Sequence, residues 1–426
     1  MSLSFAVFYL RPALLNDIMN FSWRVLGSGI LSYMAAQAGA SQVIAVEASG
    51  IADKISQLQS ISLAAGINPH LSNIAIVRDK IETESAQAKI QAILESTSEP
   101  LGKSHCVVDT IVSEPIGFML FHERMIESFI LARDRYLKPG GTILPSQASL
   151  WFVPIEDGAL WNETDSKKDF FHQRIFGTDF SPLVESARME AFSQPVVGPI
   201  SPSTIRGEPK NPKHFDFYTI TEKELQSFKM EMEWETEKVG IIHGLGCWFD
   251  LDFYPAQRTT DGPLLSPLQE EHDEQLRQAW ENLPVPSSMA QQELANQYYV
   301  GNANPAHSET NLLDPQDLPE APIDGWQVRL DTGPYSPRTH WQQGRLLLPE
   351  PLATNRGQTV HAEITFTAHE ARSYYIDIDL WIVPDGPHQI KDAVIDDRTR
   401  RKARWNLAQQ VMNYWEEGSS PQVKYP

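Results

Sequence analysis

Cysteine is nearly missing: Cys106 and Cys247 are the only two thiols in 426 residues. So few exclude a disulfide framework and fit a reducing compartment, with both side chains expected in the core. No apolar run reaches the length of a membrane span. The apolar start, Phe5 to Leu10, is short, has no basic n-region and is interrupted by Arg11, so a signal peptide is not expected. Positive charge is also scarce, with 35 Lys and Arg against 55 Asp and Glu and a formal net charge of −20. Direct nucleic-acid binding, which needs a basic face, is therefore not expected. The acidic balance serves solubility, and it equally suits a basic partner such as an Arg-rich tail. Internal repeats are lacking, and no metal site is expected.

What is present divides in two. Residues 1–145 alternate strand and helix signals. Arg24-Val25-Leu26 reads as the end of a strand, followed by Gly27-Ser28-Gly29 and a helix from Ile30 to Ala40. Strands are expected over Gln42–Glu47, Asn73–Val77 and Cys106–Val112, with helices over Ala52–Ala65 and about Met119–Tyr136. That order predicts a parallel, doubly wound α/β sheet. Beyond Pro145 the period changes. Val360, Ala362, Ile364 and Phe366 alternate with polar residues, Tyr375 to Trp381 does so again, and Lys229–Glu235 and Gly246–Phe253 also read as strands. An antiparallel barrel or sandwich is expected over 146–383. A Pro-, Gln- and acid-rich insertion at about 254–323 interrupts it, with one helix expected after Ser266-Pro267, and a tail follows over 384–426.

Gly27, Ser28 and Gly29 lie where such folds bring backbone against a ligand at a helix N-terminus, although a Gly-x-Gly is also an ordinary tight turn. Glu47, about twenty residues on at a strand end, can accept both hydroxyls of a ribose. The pairing serves NAD and S-adenosylmethionine alike.

The segment Ser113-Glu114-Pro115-Ile116-Gly117-Phe118-Met119-Leu120-Phe121-His122-Glu123-Arg124-Met125 follows the fourth strand, at the edge where α/β folds place ligands. Pro115 and Gly117 let the chain turn back, which can aim Glu114 and Glu123 into one pocket. A guanidinium is planar, has five donors and is not ordinarily deprotonated. Two carboxylates can grip its edges by charge-assisted hydrogen bonds and fix which nitrogen is free to react. The plainer reading pairs Glu123 with Glu127 as helix-start acids.

This segment resembles the double-Glu loop of the protein arginine methyltransferases, and its Ser-Glu-Pro opening and Met-Leu-Phe middle look most like the type I, coactivator-associated branch. Ala35-Ala36-Gln37-Ala38-Gly39-Ala40, Ala45-Val46-Glu47-Ala48, Tyr136-Leu137-Lys138-Pro139-Gly140, His243-Gly244-Leu245-Gly246-Cys247-Trp248-Phe249-Asp250 and Thr339-His340-Trp341 extend the resemblance in order. It implies a Rossmann-type S-adenosylmethionine-binding domain over 1–145, then an antiparallel β-barrel or sandwich domain with a helical dimerisation arm at about 170–197. The implied activity methylates arginine in histones or other Arg-rich proteins, giving mono- and asymmetric dimethylarginine. Residence in nucleus and cytoplasm and a homodimer are implied with it.

By resemblance, Glu114 and Glu123 hold the guanidinium, Met119 shapes the pocket, and His340 and Trp341 line the substrate entrance. Gly27, Ser28, Gly29, Glu47, Ile81 and Glu82 would hold the cofactor. Met119 also fits a core position and His340 a hydrogen-bonded loop position. Phe170, Phe171, Phe176, Phe180, Leu183 and Phe192 would give the arm its apolar surface, unless the arm packs on its own β domain. One departure stands out. The family's first motif, Val-Leu-Asp-Val-Gly-Cys-Gly-Ser-Gly, is about four residues shorter here, where Val25-Leu26 runs directly into Gly27. An alternative is therefore a catalytically impaired paralogue acting as a scaffold. A nucleotide-dependent oxidoreductase would share the glycines and Glu47, but no dehydrogenase-type catalytic set accompanies them. The basic cluster Arg398, Arg400, Arg401, Lys402 and Arg404 reads as a solvated helix face or a localisation signal.

Overall fold

The computed structural model describes residues 4–8, 29–97, 108–255, 328–383 and 397–412. The strand expected at Arg24–Leu26, Gly27, Ser28, Cys106 and the helix expected after Ser266 lie outside them.

The first half is built from β1 (Ser4–Phe8), α1 (Ile30–Gln37), β2 (Val43–Glu47), α2 (Ile51–Ala64), β3 (Ile74–Val77), α3 (Glu84–Thr97), β4 (Val108–Ser113), α4 (Met125–Tyr136) and β5 (Leu137–Leu144). Its five-stranded sheet runs β3-β2-β1-β4-β5. β2 with β3 and β4 with β5 are parallel. The central strand is not. β1 runs antiparallel to both neighbours, with Phe8 opposite Val43 on one side and Thr110 on the other. The wholly parallel sheet expected from the strand–helix alternation is corrected here. An antiparallel strand satisfies the facing N–H and C=O rows of β2 and β4 as completely as a parallel one. All five residues of β2 are buried, as a strand covered on both faces should be.

The second half comprises β6 (Gln147–Ile155), α5 (Gly158–Ser166), the two-residue strands β7 (Arg174–Ile175) and β8 (Thr178–Asp179), α6 (Val184–Phe192), β9 (Val196–Gly198), β10 (Lys213–Asp216), α7 (Glu222–Gln226), β11 (Ser227–Glu235) and β12 (Gly240–Phe253). It continues with β13 (Val328–Asp331), β14 (Gln343–Thr354), β15 (Thr359–His369), β16 (Ser373–Ile382), β17 (Arg401–Asn406) and β18 (Val411–Met412). One sheet runs β10-β6-β12-β14-β9-β18 with β13 on β12, and a second runs β11-β15-β16-β17. Neither closes into a barrel among the described residues. The alternation expected on β15 holds, with Val360, Ala362, Ile364 and Phe366 all buried. Trp234 and Phe366 from the second sheet and Phe152, Leu245 and Leu346 from the first share one core. Cys247 lies within it, fully buried, as expected.

Two further expectations are corrected. The basic cluster is not a helix face. Arg401–Asn406 forms the fourth strand of the second sheet, where Arg400 pairs with Asp379, and Arg404 makes a bidentate pair with Asp377 at 2.6 and 3.0 Å. Basic residues on one strand facing the acidic row of β16 account for the pattern. The helix expected from Met119 begins instead at Met125. Met119, Leu120, Glu123 and Arg124 have φ of 49°, 70°, 71° and 52°, in the left-handed region that breaks a right-handed helix.

Candidate functional site

The site is organised by the loop between β4 and α4. Gly117 lets it fold back on itself, because a Cβ there would lie 2.0 Å from the carbonyl oxygen of His122. Phe121 N–H donates to Met119 O at 2.8 Å, and Arg124 N–H to Phe121 O at 3.1 Å. These tight turns hold four non-glycine residues left-handed, each costing about 1–2 kcal/mol. Burial offsets that cost. The ring of Phe121 is buried against Phe215 and Phe228, both at 4.9 Å, Tyr374 at 5.5 Å and Phe366 at 5.8 Å. The loop thus begins on the α/β sheet and is anchored in the core of the β half.

Glu114 and Glu123 are brought together. Burial pushes the Glu114 carboxyl up to about 8; the indole N–H of Trp341 pulls it partway back, and the charge of Glu123 adds to the lift. Two carboxyl groups that feel one another, one of them largely buried, favour a cation that neutralises both. Met119 is buried directly on Gly344 of β14. Arg124 donates to Glu127 and to Gln226 Oε1 at 3.1 Å, so Glu127 belongs to the start of α4 and is not a second acid for Glu123.

Trp341 is buried. Its Nε1–H donates to the Ile116 carbonyl at 3.0 Å, tying the Thr339-His340-Trp341 loop to the acidic loop. Its ring meets Phe249 edge-on at 5.6 Å, and His340 lies over it at 4.0 Å on the solvent side.

At the same edge of the sheet, Glu47 ends β2 and is buried, with Oε1 accepting Ser49 N–H at 2.7 Å. Gly29 begins α1 at φ 81°, and a Cβ there would lie 2.8 Å from Ile55 Cδ1. Ile81 is buried beyond β3, while Glu82 is exposed and accepts from the Ser128 hydroxyl. Glu47, Ile81 with Glu82, and Glu114 thus lie at or just past the carboxyl ends of β2, β3 and β4 in turn.

Reading the sequence missed the residues that brace this loop from the β half. Arg372 Nε donates to the carbonyl of Glu123 at 3.2 Å, Arg124 to that of His369 at 3.3 Å, and His122 Nδ1 meets Ser373 Oγ at 3.1 Å. Gly344, the seat of Met119, was missed too. They are far from the loop in sequence, and no local pattern marks them.

The arm expected at about 170–197 projects as a helix–hairpin–helix. Phe176 is fully exposed at its tip, and Phe170 and Leu183 are about half exposed. Phe192 turns inward instead, buried against Trp161 at 5.5 Å.

Comparison with known proteins places these features. The model of the arginine methyltransferase oligomerization subdomain matches residues 146–272. A probable histone-arginine methyltransferase CARM1 of Oryza sativa subsp. indica is 30% identical over 370 residues, covering 85% of this chain and 53% of that protein. The histone-arginine methyltransferase CARMER of Drosophila persimilis is 29% identical over 379 residues, covering 87% and 54%. The chain thus spans about half the length of these curated relatives. Among solved structures, a Trypanosoma brucei PRMT1 enzyme–prozyme heterotetrameric complex with AdoHcy superposes with a TM-score of 0.55 at 23% identity, covering 89% of this chain and 86% of that one. Arabidopsis thaliana protein arginine methyltransferase 10 superposes at 0.58 and 20% identity, covering 89% and 87%. These likenesses bear out the expected fold, a Rossmann-type domain followed by an antiparallel β domain.

Proposed function

We propose that this chain, which matches the arginine methyltransferase oligomerization subdomain over residues 146–272 and is 30% identical to a probable histone-arginine methyltransferase, is a protein arginine methyltransferase that transfers methyl groups from S-adenosylmethionine to guanidinium nitrogens of arginine in Arg-rich proteins such as histones. The observation that carries this reading is the pair Glu114 and Glu123 on one left-handed loop, close enough for the charge of one to raise the pKa of the other.

S-adenosylmethionine supplies a methyl group activated on a sulfonium. The residues present fit it. Glu47 offers a buried carboxylate at the end of β2 for two ribose hydroxyls, Gly29 brings backbone close at the start of α1, and Ile81 and Glu82 stand next along the same edge for the base. Glu114 and Glu123 accept hydrogen bonds from the two edges of the guanidinium and draw its positive charge away from the nitrogen that reacts. Glu114, neutral near pH 7 when the site is empty, gives up its proton as the cation enters. Met119, backed by Gly344, limits the room beside the reacting nitrogen, and His340 over Trp341 lines the entrance. On this reading the products are mono- and asymmetric dimethylarginine, the type I outcome.

The arm, with Phe170, Phe176 and Leu183 exposed, docks a second copy, so the working unit is a homodimer. Histone substrates place the protein in the nucleus, with cytoplasmic residence as well. Calorimetric titration with S-adenosylmethionine and with NAD separates this from the oxidoreductase reading that Gly29 and Glu47 leave open. Binding of the former alone is expected; binding of NAD alone would overturn the assignment.

A further inference from the structure

The described C-terminal residues lie across both sheets of the β half. β17 pairs with β16, and β18 pairs in parallel with β9. Trp405 and Leu407 are fully buried, and Trp405 Nε1–H donates to the Leu347 carbonyl at 3.2 Å. Asn406 N–H donates to Ser193 O and Val411 N–H to Pro195 O, both at 2.9 Å. Between these two fixed points Gln410 reaches the acidic loop. Its Nε2 lies 3.2 Å from His122 Nε2, while His122 Nδ1 lies 3.1 Å from Ser373 Oγ.

One tautomer uses both contacts with the Gln410 amide oriented this way. In it the Gln410 amide N–H donates to an unprotonated His122 Nε2, and Nδ1–H donates to Ser373; with the amide turned over, Nε2–H donates to the Gln410 oxygen and Nδ1 accepts from the Ser373 hydroxyl, so either way the imidazole bridges the two. The imidazole thereby joins two distant parts of the β half, the start of β16 and the C-terminal segment, through one side chain next to Glu123. Arg372, just before β16, holds the Glu123 carbonyl as well. Glu123 has φ 71°, and a residue held left-handed keeps that conformation only where its surroundings over-determine it.

We propose that His122 is a positioning residue for the arginine substrate: through Gln410 and Ser373 it lets the C-terminal segment set the placement of Glu123. This rests on the reading of Glu123 as a guanidinium ligand, and it adds that residues 397–412 belong to the substrate site, although they lie nearly 300 positions along the chain from it.

The test compares His122→Ala, Gln410→Ala and the conservative His122→Asn with the unaltered full chain. Hydrogen exchange across residues 117–124 is expected to rise about fivefold in both alanine variants, the scale of one lost net hydrogen bond, with exchange in α1 and β12 unchanged. For an arginine peptide, KM should rise by about the same factor, with kcat within about twofold and S-adenosylmethionine affinity unaltered. His122→Asn, which can keep one contact, should recover part of both effects. Unchanged exchange over 117–124 in both alanine variants would overturn the proposal, as would a rise shared by the whole β half. If the unaltered chain ignores arginine peptides, the proposed function fails and the substrate role of His122 with it, while the exchange readout still decides whether the C-terminal segment braces the loop.

Discussion

The side chain of Met119 fills the space a Cβ on Gly344 would need, with its Cγ and Sδ each 2.7 Å from that point. Gly344 lies on β14, two residues after the Gln342 turn that closes the Thr339-His340-Trp341 loop. A backbone notch in one half of the molecule thus seats a residue of the acidic loop that begins in the other.

Gly344→Ala should therefore push Met119 out of its seat. Overpacking of this kind costs about 1–3 kcal/mol. A lowered melting temperature and a larger loss in arginine methylation than in S-adenosylmethionine binding are expected. Wild-type stability and rate in the variant would show that the seat does not matter.

On the proposed reading, Glu123→Gln removes one charged arm of the guanidinium grip and should lower kcat/KM by about 10²–10³, the scale of losing one electrostatic partner of the reacting group. Glu123 is partly solvated, so the melting temperature should barely move. Steady-state kinetics and a thermal melt check the two statements separately.

Glu114 gives a pH dependence. Its pKa rises from 4.5 to about 8 on folding, chiefly by burial. Its contribution to stability is thus complete below about pH 4.5 and is lost as pH rises through about 8, at about 1.4 kcal/mol per pKa unit. Substrate binding runs the other way. The grip needs the ionised form, so kcat/KM should climb toward pH 8, and peptide binding at pH 7 should release about one proton. Glu114→Gln should flatten the stability slope. Titrations in buffers of different ionisation enthalpy count the proton.

Phe121 is the loop's anchor in the β core. Phe121→Ala should cost about 3–5 kcal/mol in chemical denaturation. A cost below about 1 kcal/mol would mean that the aromatic cluster does not hold the loop.

Phe176 touches solvent over its whole surface. Phe176→Asp should leave the stability of the single chain within about 0.5 kcal/mol and weaken dimerisation at least about tenfold, as loss of an exposed aromatic anchor does. Light scattering across a dilution series reads the second effect.

The strands of the β half were legible because alternation is a local signal: Val360, Ala362, Ile364 and Phe366 face inward as their spacing requires. The acidic loop was legible because its chemistry is concentrated in thirteen consecutive residues, Ser113 to Met125. Its conformation was not. The apolar run Met119-Leu120-Phe121 matches a helix start, but tertiary contacts through Phe121 and Gly117 hold it left-handed. The antiparallel β1 was hidden for another reason: strand direction is set by which edges need pairing, and a short apolar stretch carries no mark of it. The basic run at 398–404 was misread because Arg400, Arg401 and Lys402 are consecutive and mask any period of two, and the acidic partners Asp377 and Asp379 that define the strand lie more than twenty positions away.

The most direct test of the central claim is mass spectrometry of histone H3 incubated with the purified chain and S-adenosylmethionine. Mono- and asymmetric dimethylarginine are expected, and they should vanish with Glu123→Gln. Methyl groups on lysine, or symmetric dimethylarginine alone, would contradict the assignment of Glu114 and Glu123 as the site that holds arginine for methyl transfer.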